Sequence, residues 1–229
     1  MSNLILVRHG QSLWNKERRF TGWADIKLTK KGQSEALLAG KLIKNLDIKF
    51  YKYFTSKLKR ATNSLDIILK VLEDKNPKII QTNKLNERHY GGLTSLNKDE
   101  IIKKFGNEQV NIWRRSFNTR PPEIGSNNPY KNKINTNILS ESLKDTFERV
   151  IPFYEKDIEP LLSLNKNILV VFHGNSCRSL LKKIFKISNK NIIKVEIPTG
   201  NPLWIKLEKN FKVKEYEYLD SSRAKKIIY

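Results

Sequence analysis

Apolar residues fall in short bursts separated by long polar stretches. Residues 4–7 (LILV) form an unbroken apolar run, and Ile168–Phe172 (ILVVF) form another. Runs of this length between polar neighbours predict buried strands. Residues 51–55 and 78–81 predict two more. Between these runs the period changes. Ala36, Leu37, Gly40, Leu42 and Ile43 recur at helical spacing within residues 33–45, with Thr29 placed as an N-cap. Leu65, Ile68, Leu69 and Leu72 share one face of residues 60–72. The order strand, helix, strand, helix, strand predicts an α/β fold with a parallel core sheet.

The middle of the chain reads differently. Residues 98–105 and 108–115 predict two helical pieces. Residues 119–139 are rich in Pro, Asn and Ser and predict a long loop, a feature often tied to function in compact domains. A long amphipathic helix opens near Ser140 and runs towards Leu164. Pro152 and Pro160 lie inside it and predict a kink or a break. After the strand at Ile168–Phe172 come a helix over residues 175–185 and three late strands at 195–197, 203–207 and 213–218. There is no internal repeat and no heptad run, so one catalytic-size domain over residues 1–229 is expected.

The two strongest strands end alike. Leu4 to Val7 leads into Arg8-His9-Gly10, and Ile168 to Phe172 leads into His173-Gly174 and then a helix. In an open α/β sheet, ligands bind beyond the carboxyl ends of the strands. Gly10 and Gly174 allow close backbone approach, and a helix starting near Asn175 offers free N–H groups to an anion. Two histidines with arginines at one sheet edge predict a phosphate site.

Net charge is +21, from 44 Lys and Arg against 23 Asp and Glu. That excess suits an anionic partner. The lysines are spread along the chain, however, and no nucleic-acid-binding motif is present, so specific nucleic-acid binding is not expected. With one cysteine, Cys177, no intrachain disulfide can form, which fits a reducing compartment. No stretch is long enough for a membrane span, and the expectation is a cytoplasmic protein. The three histidines lack ligand spacing, and Arg8 and Arg88 sit directly beside His9 and His89, so no metal is expected.

Further segments sharpen the reading. RHGQSLWN, RFTGWADIKLTKKGQSEA, SKLKRATNS, LNERHYGGLTSLNKDE, IWRRSF, RPPEI, VVFHGNSCRSL and PTGNPL follow one another along nearly the whole chain. In this order they resemble the cofactor-dependent phosphoglycerate mutases of the histidine phosphatase superfamily. Departures from that pattern fall at Val171-Phe172, Gly92, Thr94-Ser95 and Asn201, and none removes a catalytic side chain. The resemblance implies a histidine phosphatase-like three-layer sandwich with a mostly parallel central sheet flanked by helices. It implies transfer of a phosphoryl group between two oxygens of glycerate, with 2,3-bisphosphoglycerate as primer and intermediate and no metal. Bisphosphoglycerate synthase or phosphatase activity, or broad phosphatase activity, is the alternative. A homodimer or homotetramer is also implied.

Residue by residue, the resemblance makes His9 the nucleophile. Its second ring nitrogen needs an acceptor, which a backbone carbonyl near Gly10 would supply. Arg8, Arg60 and a protonated His173 are expected to hold the transferring phosphate, and Glu87 to act as general acid and base. Asn15, Thr21, Gly22, Tyr90, Lys98, Arg114, Arg115, Gly174 and Asn175 are expected to bind the rest of the substrate. Residues 116–139 form a loop near the site. Residues 220–229 resemble a mobile tail covering it, with Lys225 and Lys226 retaining anionic intermediates.

Overall fold

The fold is described from a computed structural model covering residues 1–134 and 136–227. The elements in chain order are β1 (Ser2–Arg8), α1 (Leu13–Lys16), α2 (Lys30–Lys44), β2 (Lys52–Thr55), α3 (Lys59–Leu72), β3 (Ile79–Gln81), α4 (Lys98–Phe105), α5 (Asn107–Arg115), α6 (Leu143–Phe153), α7 (Glu159–Ser163), β4 (Ile168–Phe172), α8 (Gly174–Ile184), α9 (Asn189–Ile192), β5 (Leu203–Leu207) and β6 (Val213–Tyr218). The strands form one sheet in the order β3-β2-β4-β1-β5-β6. The first four are parallel to one another, and β5 and β6 run antiparallel at one edge.

Alternation along the strands explains the layers. Ile5, Val7, Tyr53, Leu169 and Val171 pack on one face against Ala39 and Ile43 of α2 and Leu65, Ile68 and Leu69 of α3. Leu4, Leu6, Phe54, Ile168, Val170 and Phe172 point the other way, onto α6, α8 and the segment between them. Both faces of the central strands are covered, which is why they read as unbroken apolar runs rather than as alternating ones. The departure at Phe172 is part of this core, where its side chain is fully buried. A third, smaller cluster of Phe20, Leu93, Ile101 and Val110 roots the α4–α5 hairpin beside the sheet.

One sequence expectation changes and another takes a specific form. Residues 195–197 are not a strand. Val195 N–H closes a turn onto Ile192 O, and Ile197 O accepts from Arg8, so this segment spends its backbone groups on a turn and a side chain instead of a ladder. Its apolar residues Val195 and Ile197 still enter the core, which is the burial signal that mimicked a strand. The long helix, expected to kink or break at its prolines, is interrupted between them. A π-helical turn, Tyr154–Ile158, falls between Pro152 and Pro160, and Pro160 takes a first-turn position of α7, where its missing N–H costs least. Among the described residues no helix is long and apolar enough to cross a membrane. Asn135, in the predicted loop, and residues 228–229 of the predicted tail lie outside the described residues.

Candidate active site

Register brings the two histidines together. Arg8 of β1 pairs with Phe172 of β4, so His9 and His173 are the next residues on adjacent parallel strands. His9 N–H continues the ladder onto Phe172 O at 2.9 Å, and the two imidazoles stand edge to face with centroids 5.0 Å apart. Thr55 of β2 pairs with Val171 on the other side. The next residue, Ser56, therefore meets His173, with Oγ 2.7 Å from Nε2.

His9 is buried, and its ring is tied at both nitrogens. Nδ1–H donates to Gly10 O at 2.7 Å, and Nε2 accepts from Arg60 Nε at 3.3 Å. Both contacts fix the same tautomer, with the lone pair on Nε2. Burial, followed by the charges of Arg60 and Arg8, holds the His9 pKa well below its ordinary value despite the opposing Gly10 bond. The ring is neutral at pH 7. Backbone packing holds this turn in place, since a Cβ on Gly10 would lie 2.0 Å from Gly32 O.

Arg60, in the first turn of α3, is buried and clamped by carbonyls, Nη1 on Ala24 O at 2.8 Å and Nη2 on Gly22 O at 2.7 Å. Burial brings its pKa down to about 10, so it remains a cation at neutral pH. Gly22 adopts φ +54°, the left-handed region that favours glycine, in presenting that carbonyl. Arg8 spends Nη1 on Ile197 O at 2.7 Å, while its buried Nε has no hydrogen-bond partner. The Arg8 guanidinium packs beside Gly174, where a Cβ would make ordinary van der Waals contact with it at 3.6 Å.

Glu87 reaches the site at the N-terminus of α8. Its Oε1 accepts from Asn175 N–H at 3.0 Å and from Arg88 N–H at 2.9 Å. A helix N-terminus favours negative charge at this point. The backbone carbonyl of Glu87 is held by Trp23 Nε1 and by Arg149 Nη2.

His173 departs from expectation in its charge. It is fully buried, and burial together with Arg60, His9, Arg149 and Arg8 pushes its pKa well below the ordinary value. It is neutral in the free site, because burial strips its hydration and the surrounding Arg60, His9, Arg149 and Arg8 disfavour a further positive charge. Only an arriving phosphate dianion supplies the counter-charge that would favour imidazolium.

A cavity of about 340 Å³ opens above these groups. Arg8, His9, Asn15, Thr21, Gly22, Arg60, Glu87, Tyr90, Lys98, Arg114, Arg115, Gly174 and Asn175 all line it, whereas His173 is not part of the lining and reaches it only through its contact with the His9 ring. Sequence reasoning missed Arg19, Phe20, Arg178, Glu196, Ile197 and Pro198, which also line it. For Arg178 a signal existed, since it lies three residues after Asn175 on the same helix face. Among the lining residues, eight cations face two carboxylates, Glu87 and Glu196. The crowding shows in the titrating groups. Burial lowers the Lys98 pKa to about 8, with Arg114, Arg8 and Arg18 adding to the effect. Burial opposes ionisation of Tyr90, but Arg88 and Arg114 outweigh it and bring the phenol down to about 8. Lys225 reaches the rim, 3.9 Å from Glu196, whose other oxygen lies 3.4 Å from Arg115. Among the described residues no group of three or more His, Cys, Asp or Glu is placed to hold a metal ion.

Residues 4–216 match the histidine phosphatase superfamily (branch 1). The chain belongs to the histidine phosphatase superfamily. Within this superfamily it is 45% identical, over 238 residues, to the 2,3-bisphosphoglycerate-dependent phosphoglycerate mutase of Pelagibacter ubique strain HTCC1062, covering 100% of this chain and 99% of that protein. It is 48% identical over 225 residues to the protein of the same name from Buchnera aphidicola subsp. Cinara cedri, covering 94% and 98%. The histidine phosphatase fold is also that of a solved putative alpha-ribazole-5'-P phosphatase from Escherichia coli, at TM-score 0.73 and 19% identity over 96% of each chain.

Proposed function

We propose that this chain interconverts 3-phosphoglycerate and 2-phosphoglycerate through a phosphohistidine at His9, primed by 2,3-bisphosphoglycerate. The observation that carries this reading is the cavity itself. A neutral imidazole with its lone pair on Nε2 stands at the floor of a pocket whose walls are cationic well beyond the reach of one phosphate. A monoanionic substrate would not need that excess; a triose acid with two anionic ends would. Among the described residues the Nε of Arg8 is a buried donor without a partner, suited to such an anion.

When bound, 2,3-bisphosphoglycerate supplies the phosphoryl group that loads His9. The residues of this chain then divide the work. His9 Nε2 attacks phosphorus, forming the N–P bond as the P–O bond to the glycerate breaks, and the departing oxygen takes a proton from Glu87. In the reverse transfer Glu87 takes the proton of the incoming hydroxyl as the N–P bond breaks. Oε1 of Glu87 is already engaged by two N–H groups, so Oε2 is the oxygen that moves the proton. Arg8 and Arg60 carry the charge on the equatorial oxygens, which is most of what phosphoryl transfer requires. For Arg60 this means moving its Nε–H from the His9 lone pair to phosphate.

Incubation with labelled 2,3-bisphosphoglycerate is expected to leave label that acid removes and base does not, the signature of phosphohistidine. In His9→Ala the label is expected to vanish together with mutase activity. Label persisting in that variant would rule out His9 as the carrier.

A further inference from the structure

Arg178 is a buried cation that forms no ion pair among the described residues. It lies on α8, 3% exposed, one turn beyond Asn175. Its Nη1 donates to Asn175 Oδ1 at 3.0 Å. Its Nη2 donates to Arg115 O at 3.2 Å and to Ile192 O at 2.6 Å. These acceptors come from three elements: α8, the last residue of α5 and the last residue of α9. Burying a guanidinium with only neutral acceptors is costly, so a core arginine here calls for a reason that packing alone does not give.

Each contact sets something that faces the cavity. With Oδ1 of Asn175 occupied by Arg178, the amide turns Nδ2 towards Tyr90 OH, 3.3 Å away on the cavity wall. An anion approaching Asn175 meets N–H rather than carbonyl oxygen. The second contact fixes the backbone under Arg115. Arg88, also fully buried, does the same for the preceding carbonyl, with Nη2 on Arg114 O at 2.7 Å. Two buried guanidiniums thus sit at the C-terminal carbonyls of α5, where the helix dipole favours positive charge. Adjacent helical side chains diverge by about 100°, so Arg114 and Arg115 can serve one ligand only if the helix end is held at a fixed angle to the cavity.

We propose that Arg178 is a positioning residue for the end of the substrate that is not being transferred, holding Asn175 as a donor and the Arg114-Arg115 helix end in place. This rests on the two-anion substrate of the proposed function. The residue touches the reacting phosphate through neither His9 nor Glu87, so its removal should separate the two ends of the ligand.

The test compares Arg178→Gln and Arg178→Lys with the wild type by calorimetric binding of two probes. Orthovanadate serves as the single-anion probe for the seat beside His9, and 2,3-bisphosphoglycerate as the probe long enough to span both ends. Losing a charged hydrogen-bond network should weaken bisphosphate binding about 10- to 100-fold in Arg178→Gln. Vanadate affinity should stay within about threefold, since none of its partners depends on Arg178. Lysine keeps the charge but cannot hold three acceptors in a fixed fork, so Arg178→Lys should fall between the two. Thermal melting of each variant reports whether it is folded, and Arg178→Lys carries the test if Arg178→Gln is not. Unchanged bisphosphate affinity, or equal loss for both probes, would overturn the positioning role. Wild-type protein that binds vanadate but not bisphosphate would instead overturn the two-anion reading, and the positioning role with it.

Discussion

His9 illustrates what a residue can and cannot announce about itself. Its place after an apolar run, with arginine before and glycine after, was enough to mark it as a site residue. Its acceptor, the Gly10 carbonyl, was also foreseeable, because the acceptor is one residue away. The charge of His173 was not. That charge depends first on complete desolvation, and then on Arg60, Arg149 and Arg8, which arrive from three distant parts of the chain. Glu87 lies between these cases: nothing in the NERHYG segment shows that the N-terminus of α8 will receive its carboxylate. Glu87→Gln keeps the shape and can keep one acceptor for the two N–H groups, but cannot take a proton. It is expected to lower kcat by about 10²- to 10⁴-fold while leaving vanadate binding near the wild-type value. A kcat within a few-fold of wild type in steady-state assays would remove Glu87 from the proton path.

At the scale of elements, legibility followed the local apolar pattern. β4, β5, β6 and α4 were read to the residue, from buried and exposed surroundings alike, whereas β1 was read as residues 4–7 and extends over Ser2–Arg8. Residues 195–197 misled for the same reason, since an apolar coil segment that enters the core carries the same local signal as a short strand. Pairings between elements left no such trace. Glu141 and Arg149 are one example. Arg149 Nε and Nη2 grip the Glu141 carboxylate at 2.7 and 3.0 Å, with the Glu141 side chain 3% exposed. The same guanidinium donates to Lys84 O and Glu87 O, so it fastens the Glu87 segment to the start of α6. Arg149→Ala leaves a buried carboxylate uncompensated and is expected to cost about 3–5 kcal/mol of stability, read from urea denaturation. A loss below about 1 kcal/mol would show that solvent reaches the pair.

For the whole molecule, all three histidines are buried with lowered pKa values, His89 to about 4 and His9 and His173 well below 6.5, burial being the largest cause for each. The sign follows directly. Below pH 6.5 the unfolded chain binds protons that the native chain does not, so stability falls as pH falls. Each such histidine contributes up to about 1.4 kcal/mol per pH unit. The urea midpoint is therefore expected to drop steadily from pH 7 towards pH 4. His89→Asn, away from the nucleophile, should flatten that slope; an unchanged slope would place the acid sensitivity elsewhere. The net charge that looked like dispersed background also acquires a partial address at this scale, because the cavity gathers cations from β1, α3, α4, α5, α8 and the tail around one small volume.

The tail brings a last consequence. Asn201 exchanges two hydrogen bonds with the Asp220 backbone, and Ile227 is buried in the main core while Lys225 faces the cavity rim. Residues 221–226 are therefore a strap buckled at both ends rather than a flap with a free edge. To swing clear of the cavity, the strap has to withdraw an isoleucine from the core, at about 1.5–3 kcal/mol. On the proposed reading of His9 as phosphoryl carrier, the core contact of Ile227 sets the cost of letting water reach that group.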